Sequence, residues 1–395
     1  MRKSVPVSEL RFGMYIAELD RPWTDTPFRF QGFILSTEQQ LEALKKYCKT
    51  VYVDVERSEL PESQPLETQR PGKIIYHDKA TVEQELAPAR AAYTGSQTLM
   101  REALSAVRIG RTLDAERVRV AINSLTESVL RNPDAMLLFS QLREKGEYVV
   151  SHSLDVSIYM TAFGRFLQLE QGQIEFLGYV GLLQDIGKVR LPKSLLEKRG
   201  RLNVEEFEQA KLHVSYSVEI LRATPGIPRD LPRVAVLHHE RHDGSGYPNH
   251  LRGSQIGMIG SIAAIVDTFD AMTVRRPYAD PVAPSAAISN LYKSRGIFFD
   301  AQLVEQFIRF IGIFPVGSLV ELNSGEIAVV ISQHPTQRLK PRVMAIRDAQ
   351  GTPMRPQKLL DLSRSPKATP DEPYRVLRTL EKGHVQVTSD ELFMQ

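Results

Sequence analysis

The spacing of apolar positions changes character several times along the chain. Residues 1–55 carry short runs rich in Val, Ile and Tyr (MYIAEL, GFILS, TVYVDV) with turn chemistry between them, and read as a small β-rich unit. No apolar face can be drawn on the next stretch, rich in Pro, Glu and Ser, so residues 56–78 read as a linker. From 79 to 147 the period becomes helical, with Val118, Ala121, Leu125 and Val129 three and four residues apart. Pro88 and the turn at Gly110 are expected to break this segment into shorter helices. Residues 148–312 read as five or more helices with little strand signal. One helix start is explicit: Asn203 caps, Glu206 completes a capping box, and Leu202 with Phe207 supplies a hydrophobic staple. After Phe314-Pro315 the period falls to two in SLVELN, EIAVVIS and RVMAIRD, which predicts a small antiparallel sheet over 313–362. The polar, Pro-containing tail, 363–395, is expected to be loosely ordered. The pattern predicts a mainly α protein: a helical bundle with a small β-rich N-terminal domain and a short C-terminal β extension.

Composition narrows the function classes. With 42% apolar and 25% charged residues over 395 positions, a disordered or collagen-like chain is excluded. A net charge of +3, spread along the length, lacks the concentrated basic face of a protein that binds nucleic-acid polymers. A single cysteine, Cys48, rules out an internal disulfide framework and fits a reducing cytoplasm. The longest nearly apolar stretch, Ile256 to Val266, is shorter than the roughly 18 residues of a membrane span. The charged N-terminus has no apolar core after it, so no signal peptide is expected.

Six of the nine histidines fall between 152 and 250: His152, His213, His238, His239, His242 and His250. His152 extends an apolar stripe with Val156, Tyr159 and Phe163. Asp185 shares one with Gly178, Gly181 and Leu182, and His238 continues one from Leu231, Val234 and Ala235, with His239 about 100° further round the same helix end. Asp267 lies with Gly260, Ala263, Asp270 and Ala271, and His213 borders a core face with Ala210, Tyr216 and Ser217. One such residue is compatible with an ordinary core. Four imidazoles and two carboxylates on faces that turn inward satisfy each other best around metal ions, and that donor set suits Fe, Mn, Zn or Ni over Ca or Mg. The glycines either side of Ser245 and the Tyr-Pro after them make a tight loop beside these residues, which places Tyr247 to stack on or bond to a ligand. Arg241, Arg275 and Arg276 offer forked donors for phosphate oxygens, and Lys188, three residues after Asp185, points into the same space.

The segments QDIGK, HHERHDGSGYP and DTFDAMTVRRPY, in this order between His152 and Pro281, resemble the HD-GYP family of HD-domain metal phosphohydrolases. The N-terminal unit is similar to the small domain that often precedes HD-GYP in bacteria. The resemblance implies an HD-type all-helical bundle over 148–312. It also implies hydrolysis of the bacterial second messenger cyclic di-GMP to linear pGpG, and in some members on to GMP. By position, it implies metal ligands at His152, Asp185, His213, His238, His239 and Asp267, with Asp267 bridging two ions. Lys188, with Asp185, would then be catalytic, and Lys188, Arg241, Tyr247 and Arg276 would hold the dinucleotide. Two divalent ions, Fe or Mn before Zn or Ni, are the implied cofactors. They would activate a bridging water and stabilise the attacking and leaving oxygens.

Three positions depart from the family pattern. Gln184 replaces the namesake histidine, and Tyr148 stands where members with a third metal carry Glu. Ala279 stands where a basic residue often follows the RPY turn. The sequence supports two readings. One is a cyclic di-GMP phosphodiesterase. The other is a catalytically silent protein that binds cyclic di-GMP or acts as an adaptor for GGDEF-domain proteins. Residues 79–147 are a candidate homodimer surface under either.

Overall fold

The computed structural model describes residues 2–54 and 74–380, apart from 8–9, 11–12, 22–25, 29–31, 36, 143–146, 275–280 and 335–336. The chain forms two units, Met1–Gly72 and Lys73–Gln395.

In the first unit, β1 (Arg2–Pro6), β2 (Tyr15–Leu19), β3 (Phe33–Ile34) and β4 (Thr50–Asp54) form an antiparallel sheet in the order β1-β4-β2-β3. The sequence pattern did not anticipate β1, nor the helix α1 (Glu38–Tyr47), which precedes β4. The signal for α1 was local: Thr37 caps it and Gln40 closes a capping box. Ile16, Leu35, Leu44 and Val51 are fully buried between sheet and helix.

The second unit begins with Ile74 to Asp78, residues expected to belong to a linker. Tyr76 donates its hydroxyl to the Leu169 carbonyl at 2.8 Å, and Asp78 pairs with Arg165 at 2.7 Å, so this stretch is tied to the bundle. Helices α2 (Val82–Arg108), α3 (Ala115–Arg131) and α4 (Pro133–Leu142) come next. Contrary to expectation, Pro88 does not break α2, whereas Gly110 does end it. Proline inside a helix costs about 3 kcal/mol. Packing outweighs that cost here: Val82, Leu86, Ala89, Tyr93 and Met100 of α2 are all buried in the common core.

α5 (Tyr148–Phe166) is buried on every side from Val150 to Gly164 and packs against α6 (Gln171–Leu183). A 3-10 turn (Ile186–Arg190), α7 (Lys193–Leu196), α8 (Val204–Arg222), α9 (Leu231–Ala235), α10 (Gly257–Thr273), α11 (Pro284–Ser294) and α12 (Ala301–Ile311) complete the bundle. The Asn203–Glu206 capping box at the start of α8 forms as the sequence predicts. The segment Gly253–Thr273 is long and apolar enough to cross a bilayer, which the shorter run Ile256 to Val266 did not suggest. Most of it is buried in the protein, and it carries Asp267 and Asp270.

Five antiparallel strands close the chain: β5 (Leu319–Leu322), β6 (Ile327–Ser332), β7 (Arg342–Arg347), β8 (Pro353–Asp361) and β9 (Val376–Thr379), in the order β8-β7-β6-β5-β9. The tail expected to be loose after Leu362 is thus folded as far as Leu380. β9 pairs with β5, and Leu362, Tyr374 and Leu380 are buried, which polarity averaged over the segment concealed. Residues 381–395 lie outside the described residues.

One close approach fixes the turn that carries Asp185. A Cβ on Gly187 would lie 2.1 Å from the His213 carbonyl oxygen and 2.4 Å from Ser217 N, so the turn after α6 rests directly on the α8 backbone. The Gly187 amide donates to Ser217 Oγ at 2.8 Å. Gly187→Ala is therefore expected to destabilise the protein by about 2 kcal/mol or more, because backbone and not a flexible side chain must move. A urea melt measures this, and an unchanged midpoint would contradict the contact.

Candidate metal centre

The structure brings all six sequence-predicted ligands together. Asp185, His213, His238 and His239 offer ligand atoms within 4.8 Å of one another, and so do His152, Asp185 and Asp267. Asp185 belongs to both groups. The expected bridge is Asp267; the residue that the geometry puts in both groups is Asp185. Its Oδ1 faces His213 at 3.2 Å and His238 at 3.5 Å, and its Oδ2 faces His152 at 3.3 Å. Asp185 stands where the chain turns off α6 between α5 and α8, whereas Asp267 on α10 joins only the group that contains His152.

The helix expected to carry the paired histidines is also shorter than anticipated. α9 ends at Ala235, and His238 and His239 stand on the turn after it. His238 Nδ1 meets the Ala235 carbonyl and His213 Nδ1 the Ala210 carbonyl, both at 2.7 Å. A carbonyl can only accept, so both Nδ1 atoms carry the proton and both Nε2 atoms present lone pairs. Those lone pairs face each other at 3.3 Å, beside the Asp185 carboxylate. Acceptors converging on acceptors repel unless a cation lies among them. The buried oxygens Asp185 Oδ1, Gln184 Oε1 and Asp270 Oδ1 likewise have no hydrogen-bond donor. The residues therefore fit divalent metal.

Burial and the neighbouring His238 hold His239 well below the ordinary imidazole value, and burial lowers His213 against the pull of Asp185. Both rings are thus neutral at pH 7, the state that ligates. Burial opposes charge on His152, yet Tyr148 and the carboxylates of Asp185, Asp267 and Asp270 hold its value well above the ordinary one. Burial also works against the Lys188 ammonium, but Asp185 Oδ2, 2.5 Å away, keeps it charged.

Two buried carboxylates without a role in the sequence reading support the centre: Asp270, noted there only as a neighbour on the Asp267 stripe, and Glu240. Asp270 Oδ2 accepts from His152 Nδ1 at 2.6 Å, which leaves His152 Nε2 directed at Asp267, 3.0 Å away. The signal was available, since Asp270 lies three residues from Asp267 on one buried stripe. Glu240, fully buried, accepts from the amides of Asn249 at 2.7 Å and Leu251 at 3.0 Å and so folds the loop after it back onto the histidines. Gly246 permits the same return, because a Cβ there would lie 2.3 Å from Arg241 N and 2.5 Å from the His239 carbonyl oxygen.

Above the centre is a cleft of about 870 Å³, lined by His152, His239, Asp267, Lys188, Tyr148 and Tyr247 among others. Tyr247 stacks on His239 with ring centroids 4.7 Å apart, and Tyr148 stacks on His152 at 5.5 Å. Arg108 and Lys193 also line it, two cations the sequence reading did not select. Arg241 is not brought into the lining; its guanidinium lies 4.9 Å from the Phe299 ring centroid. Arg275, Arg276 and Ala279 lie outside the described residues.

Models of three known domains match along the chain: a domain of unknown function (DUF3391) at residues 2–118, an HD domain at 136–303, and a KOW domain associated with HD domains at 319–369. The chain is 31% identical over 373 residues to a cyclic di-GMP phosphodiesterase of Pseudomonas aeruginosa, covering 92% of this chain and 90% of that protein. This chain belongs to the HD-GYP family. Other relatives align over less. A 3'3'-cGAMP-specific phosphodiesterase of Vibrio cholerae is 33% identical over 50% of this chain and 37% of its own. A cyclic di-GMP phosphodiesterase of Thermotoga maritima is 40% identical over 32% and 35%. The solved structure of an HDG"Y"P protein from Bdellovibrio bacteriovorus covers 78% of this chain and 98% of its own, at 15% identity and a TM-score of 0.47.

Proposed function

We propose that this chain is a phosphodiesterase that opens the ring of cyclic di-GMP. The observation that carries this reading is the pair of His/Asp groups joined through Asp185 under a cleft of about 870 Å³. His213, His238, His239 and Asp185 would hold one divalent ion, and His152, Asp185 and Asp267 a second, with Fe or Mn best suited to imidazole and carboxylate together. Bound there, such ions supply an activated water and charge stabilisation at the phosphate. The remaining work falls to side chains. Lys188, kept charged beside Asp185, offers its ammonium to a phosphate oxygen at the cleft floor. Tyr247, packed on His239, presents a ring on which a guanine base can stack. Asp270 and Glu240 act through others, by fixing the His152 ring and the GYP loop.

The silent-adaptor reading is not favoured: the relative that is 31% identical over 92% of this chain is a cyclic di-GMP phosphodiesterase, and the two His/Asp groups support the same chemistry here. GGDEF-domain proteins as partners belong to this proposal. So does a second copy of the chain meeting through residues 79–147, where Ile109 and Val120 are exposed apolar side chains. Cytoplasmic placement follows from the substrate class.

The direct test is turnover of cyclic di-GMP, with 3'3'-cGAMP as comparison, by protein loaded with Fe or Mn. Hydrolysis of neither would overturn the proposal. Tyr247→Ala is expected to raise KM for cyclic di-GMP about tenfold, the ~1–3 kcal/mol of one base–aromatic stack, and to leave metal content unchanged. A steady-state titration checks it; an unaltered KM would remove Tyr247 from the substrate site.

A further inference from the structure

A second cavity, of about 440 Å³, opens at the other end of α5. It lies among Tyr76–Asp78, the start of α4, the last turns of α5, the end of α12 and Gln333 beyond β6. Arg165 is thirteen residues beyond His152 on the same helix, about 20 Å along it at 1.5 Å per residue. The metal cleft and this cavity share no lining residue.

Its chemistry is specific. The Arg165 side chain is only 10% exposed; Nη2 pairs with Asp78 at 2.7 Å, but Nε is buried with no hydrogen-bond partner. Arg309 and Arg338 line the same space, and neither pairs with a carboxylate among the described residues. Phe166, Phe310 and Tyr76 supply aromatic walls. Asp134, another lining residue, has Asp78 and Arg165 as charged neighbours, and its Oδ2 accepts a single bond, from the Gln333 amide at 3.3 Å. Burial pushes that carboxyl up to about 7, as expected of an acceptor that lacks enough donors.

We propose that this cavity binds a guanine mononucleotide, with the phosphate on the arginines, the base against the aromatic walls and its N–H edge on Asp134. The buried Arg165 Nε lacks an acceptor, and the exposed Arg309 and Arg338 have no carboxylate partner among the described residues, so the three can share an oxyanion, and a fork suits phosphate. The rings call for a flat partner. The ionised Asp134 carboxylate, populated above about pH 7, discriminates between flat partners: guanine offers it two adjacent N–H donors, whereas the matching edge of adenine sets a lone pair beside its one donor. Size suits one nucleotide: about 440 Å³ lies toward the small end of ligand pockets, which run from about 300 to 1,000 Å³. The site does not rest on the phosphodiesterase reading, and because binding is measured at equilibrium the two fail separately.

The test is calorimetric titration of the full-length, metal-loaded protein with GMP, AMP and inorganic phosphate. GMP is expected to bind, with AMP and phosphate at least about tenfold weaker, as the loss of one charge-assisted hydrogen bond implies. Arg309 is exposed, so Arg309→Ala should fold; it is expected to weaken GMP about tenfold while metal content and turnover stay as they were. Asp134→Asn should abolish the preference for GMP over AMP, and Lys188→Ala should leave GMP affinity unchanged. Three results would each overturn the proposal: no GMP binding at millimolar concentration, phosphate binding as tightly as GMP, or affinity lost in Lys188→Ala but kept in Arg309→Ala.

Discussion

Asp185→Ala is expected to strip divalent metal from the whole centre, not from half of it. Asp185 is the one residue common to the two ligand groups, with one oxygen toward His213 and His238 and the other toward His152 and Lys188. Without it, three neutral imidazoles face a cation with no carboxylate, and His152 and Asp267 are left as a pair. Asp267→Ala removes a member of one group only. At full loading we expect about two ions per chain in wild type, about one in Asp267→Ala and near none in Asp185→Ala. Turnover in Asp185→Ala should fall by about 10³-fold or more, since metal-centred charge stabilisation accounts for several kcal/mol of such barriers. Removing Asp185 also leaves the buried Lys188 ammonium without its partner, which commonly costs about 3–5 kcal/mol. Asp185→Asn keeps the shape and part of the hydrogen bonding, so it serves as the second variant should alanine fail to fold. Elemental analysis after loading and dialysis, beside far-UV circular dichroism, decides the matter. Two ions retained in a folded Asp185 variant would show that the shared carboxylate has been misidentified.

What the sequence disclosed, and what it withheld, divides along a physical line. Faces were legible. His152 among Val156, Tyr159 and Phe163, and Asp267 among Gly260 and Ala263, interrupt stripes too apolar to tolerate lone charges, and α5 and α10 do bury them. The Asn203 cap was legible because its partners lie three residues apart. Relations between elements were not. Which of two aspartates is shared depends on where the turn after α6 meets α8, and Gly187 hints at that contact only after the two are seen together. Asp270 shares the stripe of Asp267, yet its bond to His152 is a matter of how α10 crosses α5. Pro88 misled because a local penalty was read without the buried face that offsets it. β9 was missed for the same reason: its pairing partner, β5, lies more than fifty residues upstream.

Gln184 concentrates the remaining chemistry. It is buried beside Asp185, and its Nε2 donates to Asp267 Oδ1 at 3.3 Å, the oxygen that also faces His152. Its Oε1 is buried with no donor at all. The amide thus tethers a metal-ligand carboxylate and has an oxygen to spare, but an amide oxygen is a weaker ligand than imidazole for Fe or Mn. Gln184→His changes volume little, so the packed end of α6 should accept it. The imidazole is expected to tighten the ion held by His152, Asp185 and Asp267 by about 10–100-fold, the range that even changes outside the ligand set produce. In a metal titration of cyclic di-GMP turnover, the half-saturating concentration should fall by that factor while the rate at saturating metal changes far less. The lost Gln184–Asp267 bond works the other way, and a histidine that weakened metal would show that the tether matters more than the ligand. Wild type without turnover at any metal concentration, and no rescue by histidine, would return the chain to the role of a cyclic di-GMP-binding adaptor.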